Sequence, residues 1–168
     1  MGGSLRSVGT SETYQSRRQS DACWRATIAR PRPGARPRAG DVPVTEVVRT
    51  DRAAAPIGPY SQAIRAGGFV FVAGEKGIDP RTNRIVSGGI QAETRQTLEN
   101  IKAILEAAGT SFDRAVQSVV YLTDIGEFAA MNEVYAAYFR VNPPGRTTVG
   151  VTALPAGARV EITVTALA

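Results

Sequence analysis

Between Ala29 and Ala39 arginine and proline alternate almost without a break (Ala29-Arg-Pro-Arg-Pro-Gly-Ala-Arg-Pro-Arg-Ala39), and this run limits how much of the 168-residue chain can fold. Proline fixes φ and has no amide proton, so such a run can neither continue a helix nor sit inside a sheet. Residues 1–40 as a whole show no sustained apolar period and are rich in Arg, Ser, Gly and Pro. A segment of this kind buries too little apolar surface to offset the entropy of ordering it. We therefore read residues 1–42 as a disordered basic tail and expect one packed domain over residues 43–168.

The tail also accounts for the net charge of +5. Residues 1–40 hold eight arginines against Glu12 and Asp21. Of the chain's 20 basic and 15 acidic residues, 12 and 13 remain for residues 41–168, a balance of −1. A nearly neutral domain gives no reason to expect nucleic acid as a partner. In the tail only Tyr14 and Trp24 could stack on bases. No apolar run is long enough for a secretory signal or a bilayer span, so no membrane partner is expected. An Arg-rich, Ser-bearing, acid-poor leader fits a mitochondrial or plastid transit peptide. It equally fits an overextended start or a passive tail on a cytoplasmic protein.

The chain has no histidine and a single cysteine, Cys23. Histidine bases, histidine metal sites, cysteine-cluster metal sites and intrachain disulfides are all excluded. Any catalysis must come from carboxylates, Arg, Lys, Tyr, Ser, Thr, backbone groups or a borrowed cofactor.

Pattern appears near Val42. Val44–Thr50 reads as a strand, Asp51–Tyr60 as an extended loop held by Pro56 and Pro59, and Ser61–Arg65 with Phe69–Ala73 as a hairpin closed by Ala66-Gly67-Gly68. Gly77–Gly89 reads as a loop. From Ile90 the period becomes helical, with Thr94, Thr97, Leu98, Ile101, Ile104, Leu105 and Ala108 on one stripe and Gly109 as the C-terminal stop. Arg114–Leu122 is a strand. Asp124 and Glu127 resemble a capping pair opening a second helix with the stripe Phe128, Met131, Asn132, Tyr135, Tyr138 and Phe139. Arg146–Ala153 and Arg159–Leu167 close the chain as strands. The order βββαβαββ predicts an α+β layer, one mixed sheet with both helices on one face, whose other face a partner subunit covers.

The last two strands alternate most informatively. Period 2 puts Arg146, Thr148, Gly150 and Thr152 on one face of the first. It puts Glu161, Thr163 and Thr165 opposite Val160, Ile162 and Val164 on the second. Small hydroxyls around an arginine and a glutamate leave room for a ligand, and we expect the two charges to face one hollow. The plainer reading makes them solvated edge charges, for which surface pairing contributes little. Tyr60 reads as an aromatic plug over the sheet. Glu75 and Lys76, flanked by Gly74 and Gly77, read as a turn with two solvated charges.

Taken together these segments resemble the RidA (YjgF-like) family. The resemblance runs through Ile57-Gly-Pro-Tyr-Ser-Gln62, Phe71-Val-Ala-Gly74, Gly77-Ile-Asp-Pro80, Gln96-Thr-Leu-Glu-Asn-Ile-Lys102, Glu106-Ala-Ala-Gly109, Val119-Val-Tyr-Leu-Thr-Asp124, Pro144-Gly-Arg-Thr-Thr-Val149 and Val160-Glu-Ile162, in family order over roughly residues 44–168. It implies a chorismate-mutase-like fold, a homotrimer with ligand clefts between subunits, and a role in metabolite damage control. The implied reaction is hydrolytic deamination of reactive enamines and imines, such as 2-aminoacrylate, to 2-keto acids and ammonia, without a cofactor or metal. Carried over by motif, Arg146 binds the substrate carboxylate, Glu161 orients or deprotonates a water, and Tyr60 and Gly74 line the site. Backbone groups near Thr148 and Gly74 hold the imine nitrogen or the water. Departures fall at Ala73-Gly74-Glu75, where the family often has Ser-Gly-Gln, at Lys76, usually apolar or small, and at Thr148, often Cys or Ser. Glu75 thereby becomes a candidate for contact with the substrate side chain. Two other functions stay open at this point: a translation-inhibiting endoribonuclease, and a non-catalytic trimer that binds small carboxylates.

Overall fold

The computed structural model describes residues 45–168. The tail, and the expected start of the first strand at Val44, lie outside the described residues. In chain order the elements are β1 (Glu46–Val48), β2 (Ala63–Ala66), β3 (Phe69–Lys76), β4 (Ile78–Asp79), β5 (Arg84–Ile85), α1 (Gly89–Ala107), β6 (Ala115–Leu122), α2 (Phe128–Ala136), β7 (Gly145–Gly150) and β8 (Val160–Leu167). Six strands make one mixed sheet in the order β1-β2-β3-β8-β6-β7. The β6–β7 pair is parallel and its crossover carries α2; the other neighbours are antiparallel. The α+β architecture expected from the sequence is thus the one adopted, with both helices on one face.

The core lies between that face and the helices. Val160, Ile162, Val164 and Ala166 of β8 are buried, while Glu161, Thr163 and Thr165 look to the open side. Leu98, Ile101, Ile104 and Leu105 of α1 are fully buried against the sheet, as the apolar stripe predicts. Each such side chain stabilises the fold by about 1.5–3 kcal/mol through burial. Helix α1 ends as Gly109 requires. Gly109 has φ 75°. Its N–H bonds to Glu106 O, and the Thr110 N–H reaches back to Leu105 O.

Several local expectations need correction. The segment read as a loop after Gly77 holds the short β4–β5 ribbon. Strand β3 runs on through Gly74, Glu75 and Lys76, so those charges are not in a solvated turn: Glu75 and Lys76 are 5% and 6% exposed. The continuation is possible because α1 crosses the end of β3 closely. A Cβ on Gly77 would lie 2.7 Å from Glu93 Cα, and the buried Asn100 amide donates to Lys76 O (3.1 Å) and Ile78 O (2.9 Å). Asp124 does cap, through Gly126 N–H, but it caps a single 3-10 turn, and the Glu127 side chain binds Arg159 instead of completing the pair. Helix α2 stops at Ala136 before Tyr138 and Phe139, where the bonds Ala137 N–H to Val134 O and Tyr138 N–H to Tyr135 O tighten the last turn. Strand β7 ends at Gly150 because its partner β6 ends at Leu122.

Candidate functional site

The β3–β8 pairing contains a slip. Val72 faces Val164 and Glu75 faces Ile162, so Ala73 and Gly74 together stand opposite the single residue Thr163, a bulge. Beyond it Lys76 stands directly across from Glu161. The carboxylate of Glu161 lies against the backbone of Gly74: a Cβ there would fall 2.7 Å from Glu161 Cδ. Gly74 is needed for space and not for an unusual φ. Lys76 Nζ sits 3.1 Å from Glu161 Oε2 and donates to Gly74 O at 2.8 Å. The Lys76 and Glu161 side chains are 7% and 19% exposed, so this ion pair is largely withdrawn from water. Glu75 is buried beside them. Burial pushes its carboxyl up to about 7; the Lys76 charge opposes the rise and the Glu161 charge adds to it.

Arg146 is held differently. It lies at the exposed start of β7, an edge strand. Its guanidinium carbon is 4.5 Å from the centroid of the Tyr135 ring and 5.6 Å from that of Phe128. Nη1 donates to Asn132 Oδ1 at 2.8 Å. Tyr135 stacks in turn on Phe139, which meets Phe112 edge-on. The arginine therefore tops an aromatic cluster and keeps a free set of N–H donors for a planar anion. Under it three enclosed hydroxyl oxygens lack a hydrogen-bond partner: Ser118 Oγ, Tyr135 OH and Thr148 Oγ1. Burial pushes the Tyr135 hydroxyl up, and Ser118 and Arg146 offset this only in part because neither makes a well-formed bond to it.

Arg146 and Glu161 do not face one hollow within a protomer. Alternation fixes a side chain's face only relative to its own strand; the register between strands fixes the rest. Glu161 pairs with Tyr121, and Tyr121 with Val149. Arg146 pairs with Ser118, and Ser118 with Val164. Glu161 thus belongs to the open face and Arg146 to the helix face, with β6 between their strands. Two strand spacings and three residues of register put their backbones roughly 14 Å apart. Thr148 shares the face of Arg146; Gly74 and Lys76 adjoin Glu161, while Glu75, across from Ile162, lies on the helix face. Tyr60 stands apart from both groups, 43% exposed, its hydroxyl oxygen accepting the Ile57 N–H. It is no plug over the sheet but lines a cleft of about 230 Å³ with Arg49, Ser61 and Gln62. Gln62 pins this loop through bonds with Thr50 N–H, Thr50 O and Ala54 O.

Reading the sequence misses Lys76, Asn132 and Tyr135 as members of these clusters. Lys76 had one signal, its place two residues after Gly74, but the slip that aims it at Glu161 leaves no trace in the pattern. Among the described residues no group of three or more His, Cys, Asp or Glu could hold a metal ion, and no helix is long and apolar enough to cross a membrane.

Known proteins place these clusters in context. The family model described as endoribonuclease L-PSP matches residues 50–168. A RutC family protein of Pyrococcus horikoshii is 56% identical over 117 residues, covering 70% of this chain and 93% of that protein. The 2-iminobutanoate/2-iminopropanoate deaminase of Mus musculus is 41% identical over 119 residues, covering 71% of this chain and 88% of that protein. A crystal structure of RidA from an Antarctic Psychrobacter superposes with a TM-score of 0.71 at 42% identity, covering 73% of this chain and 99% of that one.

Proposed function

The chain belongs to the endoribonuclease L-PSP family, the RidA (YjgF-like) proteins, and from that premise we propose that it hydrolyses reactive enamines and imines of 2-amino acids, such as 2-aminoacrylate. The enamine tautomerises to the imine, a proton moving from nitrogen to its terminal carbon; water then adds to the imine carbon, its two protons pass to the nitrogen as the C–N bond breaks, ammonia leaves and a 2-keto acid remains. An imine is already electrophilic, so positioning the reactants supplies most of what the reaction needs. Arg146 grips the substrate carboxylate through two parallel charge-assisted bonds. Glu161 accepts a hydrogen bond from the attacking water through Oε1, the oxygen Lys76 does not hold. Backbone groups at Gly74 and Thr148 hold the imine nitrogen, Tyr60 closes the pocket, and Glu75 lies beside the substrate side chain. No cofactor or metal takes part.

The two clusters lie on opposite faces of one sheet, so this reading has Arg146 of one protomer meet the carboxylate of a second copy in an intersubunit cleft, in the homotrimer that the resemblance implies. The open face supports such packing: Val47, Phe71, Val149 and Leu167 all lie on it and are between 38% and 61% exposed, more than a lone protomer gains by leaving bare. The observation that carries the reading is the Glu161 carboxyl group, seated against Gly74 on that face with Oε2 held by Lys76. RNA cleavage, which the family description names, has less behind it, since residues 41–168 carry a net charge of −1 and the chain has no histidine.

The test couples a pyridoxal-phosphate-dependent dehydratase acting on serine or threonine to the purified protein. Release of the 2-keto acid should accelerate, and Arg146→Ala should lower kcat/KM at least a hundredfold, on the order of 3 kcal/mol of transition-state binding. No acceleration, or a fully active Arg146→Ala, refutes the assignment. Carboxylate binding without turnover selects the non-catalytic trimer.

A further inference from the structure

We propose that Lys76 is a positioning residue for Glu161, a clamp that fixes which carboxylate oxygen meets the water. The inference rests on the imine-hydrolysis reading and adds to it a residue that acts through Glu161. Lys76 Nζ is tied at both ends of the nook, to Gly74 O at 2.8 Å and to Glu161 Oε2 at 3.1 Å, with the lysine side chain 7% exposed. Holding Oε2 in this way leaves the carboxylate one orientation, with Oε1 over the Gly74 backbone where a side chain would otherwise stand.

Among the described residues of one protomer, Lys76 is the cation paired with Glu161. Arg159, at the head of β8, is engaged by Glu93 Oε1 at 3.7 Å and Glu127 Oε1 at 2.7 Å. On the opposite strand Glu161 faces Tyr121, whose side chain has no cationic group. Glu75, a further neighbour, carries a carboxyl group and offers no cation. An unclamped glutamate would sample several staggered rotamers, and a misplacement of about 1 Å at a reacting group costs rate steeply.

The experiment compares Lys76→Met, Lys76→Arg, Glu161→Gln and the double variant Lys76→Met/Glu161→Gln in the full-length protein. Lys76→Met should lower kcat about tenfold with KM changed less than about twofold. Lys76→Arg should restore most of the loss. In the Glu161→Gln background Lys76→Met should change kcat less than about twofold, since the two act as one unit. Equal losses in both backgrounds, an unchanged kcat, or no recovery with Arg overturn the proposal. A second readout needs no turnover: the carboxyl 13C resonance of Glu161, assigned by its loss in Glu161→Gln, should shift in Lys76→Met, and an unmoved resonance overturns the clamp. A wild-type protein inert toward imines refutes the functional reading alone, because the resonance still reports on Lys76.

Discussion

The two charges at the centre of this account are held in opposite ways. Glu161 sits on a central strand, opposed by a buried lysine, against a glycine that leaves it room, with a second carboxylate alongside. Arg146 sits on an edge strand, exposed, lying on rings contributed by a helix, with one bond to Asn132. The first nook is complete within a protomer. The second is half a site, with donors to spare and unpartnered hydroxyls under it. The sheet puts the fixed carboxylate on one face and the accessible guanidinium on the other. What this teaches is that the protomer fixes its carboxylate in a closed nook and leaves its guanidinium open to whatever approaches the sheet edge.

The buried half should answer to pH as a matter of stability. Glu75 has its folded-state carboxyl raised from 4.5 to about 7, mainly by burial. Below pH 4.5 both folded and unfolded chains carry the proton. Between 4.5 and about 7 only the unfolded chain ionises, so stability falls as pH rises, and above about 7 the loss is complete. The shift corresponds to about 3 kcal/mol at most. Denaturant titrations from pH 4 to 8 should show this slope in the wild type and its removal in Glu75→Gln. A wild type and variant with parallel profiles would mean that Glu75 is not buried as an acid, and the contrast between the two halves would weaken.

Gly74→Val sharpens the same contrast from the side of activity. The added side chain claims the place of the Glu161 carboxylate, and kcat should fall between about tenfold and a hundredfold, while affinity for a 2-keto acid product, governed by Arg146, changes less than about threefold. Loss of both together would argue that the halves are not separable. The smallest effect belongs to the edge. Asn132→Ala removes one charge-assisted bond from an exposed arginine that keeps its aromatic support, so KM should rise only a few-fold, roughly 1 kcal/mol, with thermal stability nearly unchanged. A collapse of activity there would show that Asn132, and not the rings, sets the arginine's direction.

Much of this was legible in the sequence because it depends on local period. The α1 stripe from Thr94 to Ala108, the Gly109 stop and the alternation along β8 all follow from spacing alone, and the structure keeps them. The mixed sheet with helices on one face followed from element order. What was not legible depends on register between strands distant in sequence. Nothing in Arg146-Thr-Thr-Val149 or Val160-Glu-Ile162 says that β6 lies between them, so the face of the sheet that each charge takes could not be read from either segment. Glu75 and Lys76 looked solvated because charged pairs beside glycines usually are; their burial comes from α1 crossing at Gly77, a tertiary fact. Tyr135 was read as helix core, which it is, and its second role beneath a guanidinium depends on β7 returning beside α2.

The extra residue at Ala73-Gly74 has a consequence for how the chain finds its native pairing. In an uninterrupted ladder running on from Val72–Val164, Glu75 would stand across from Glu161 and Lys76 across from Val160. That alignment sets two anions face to face and strands an ammonium beside an aliphatic side chain, each unfavourable in a sheet. The slip exchanges repulsion for attraction, so the native register is the one in which Glu161 meets a cation.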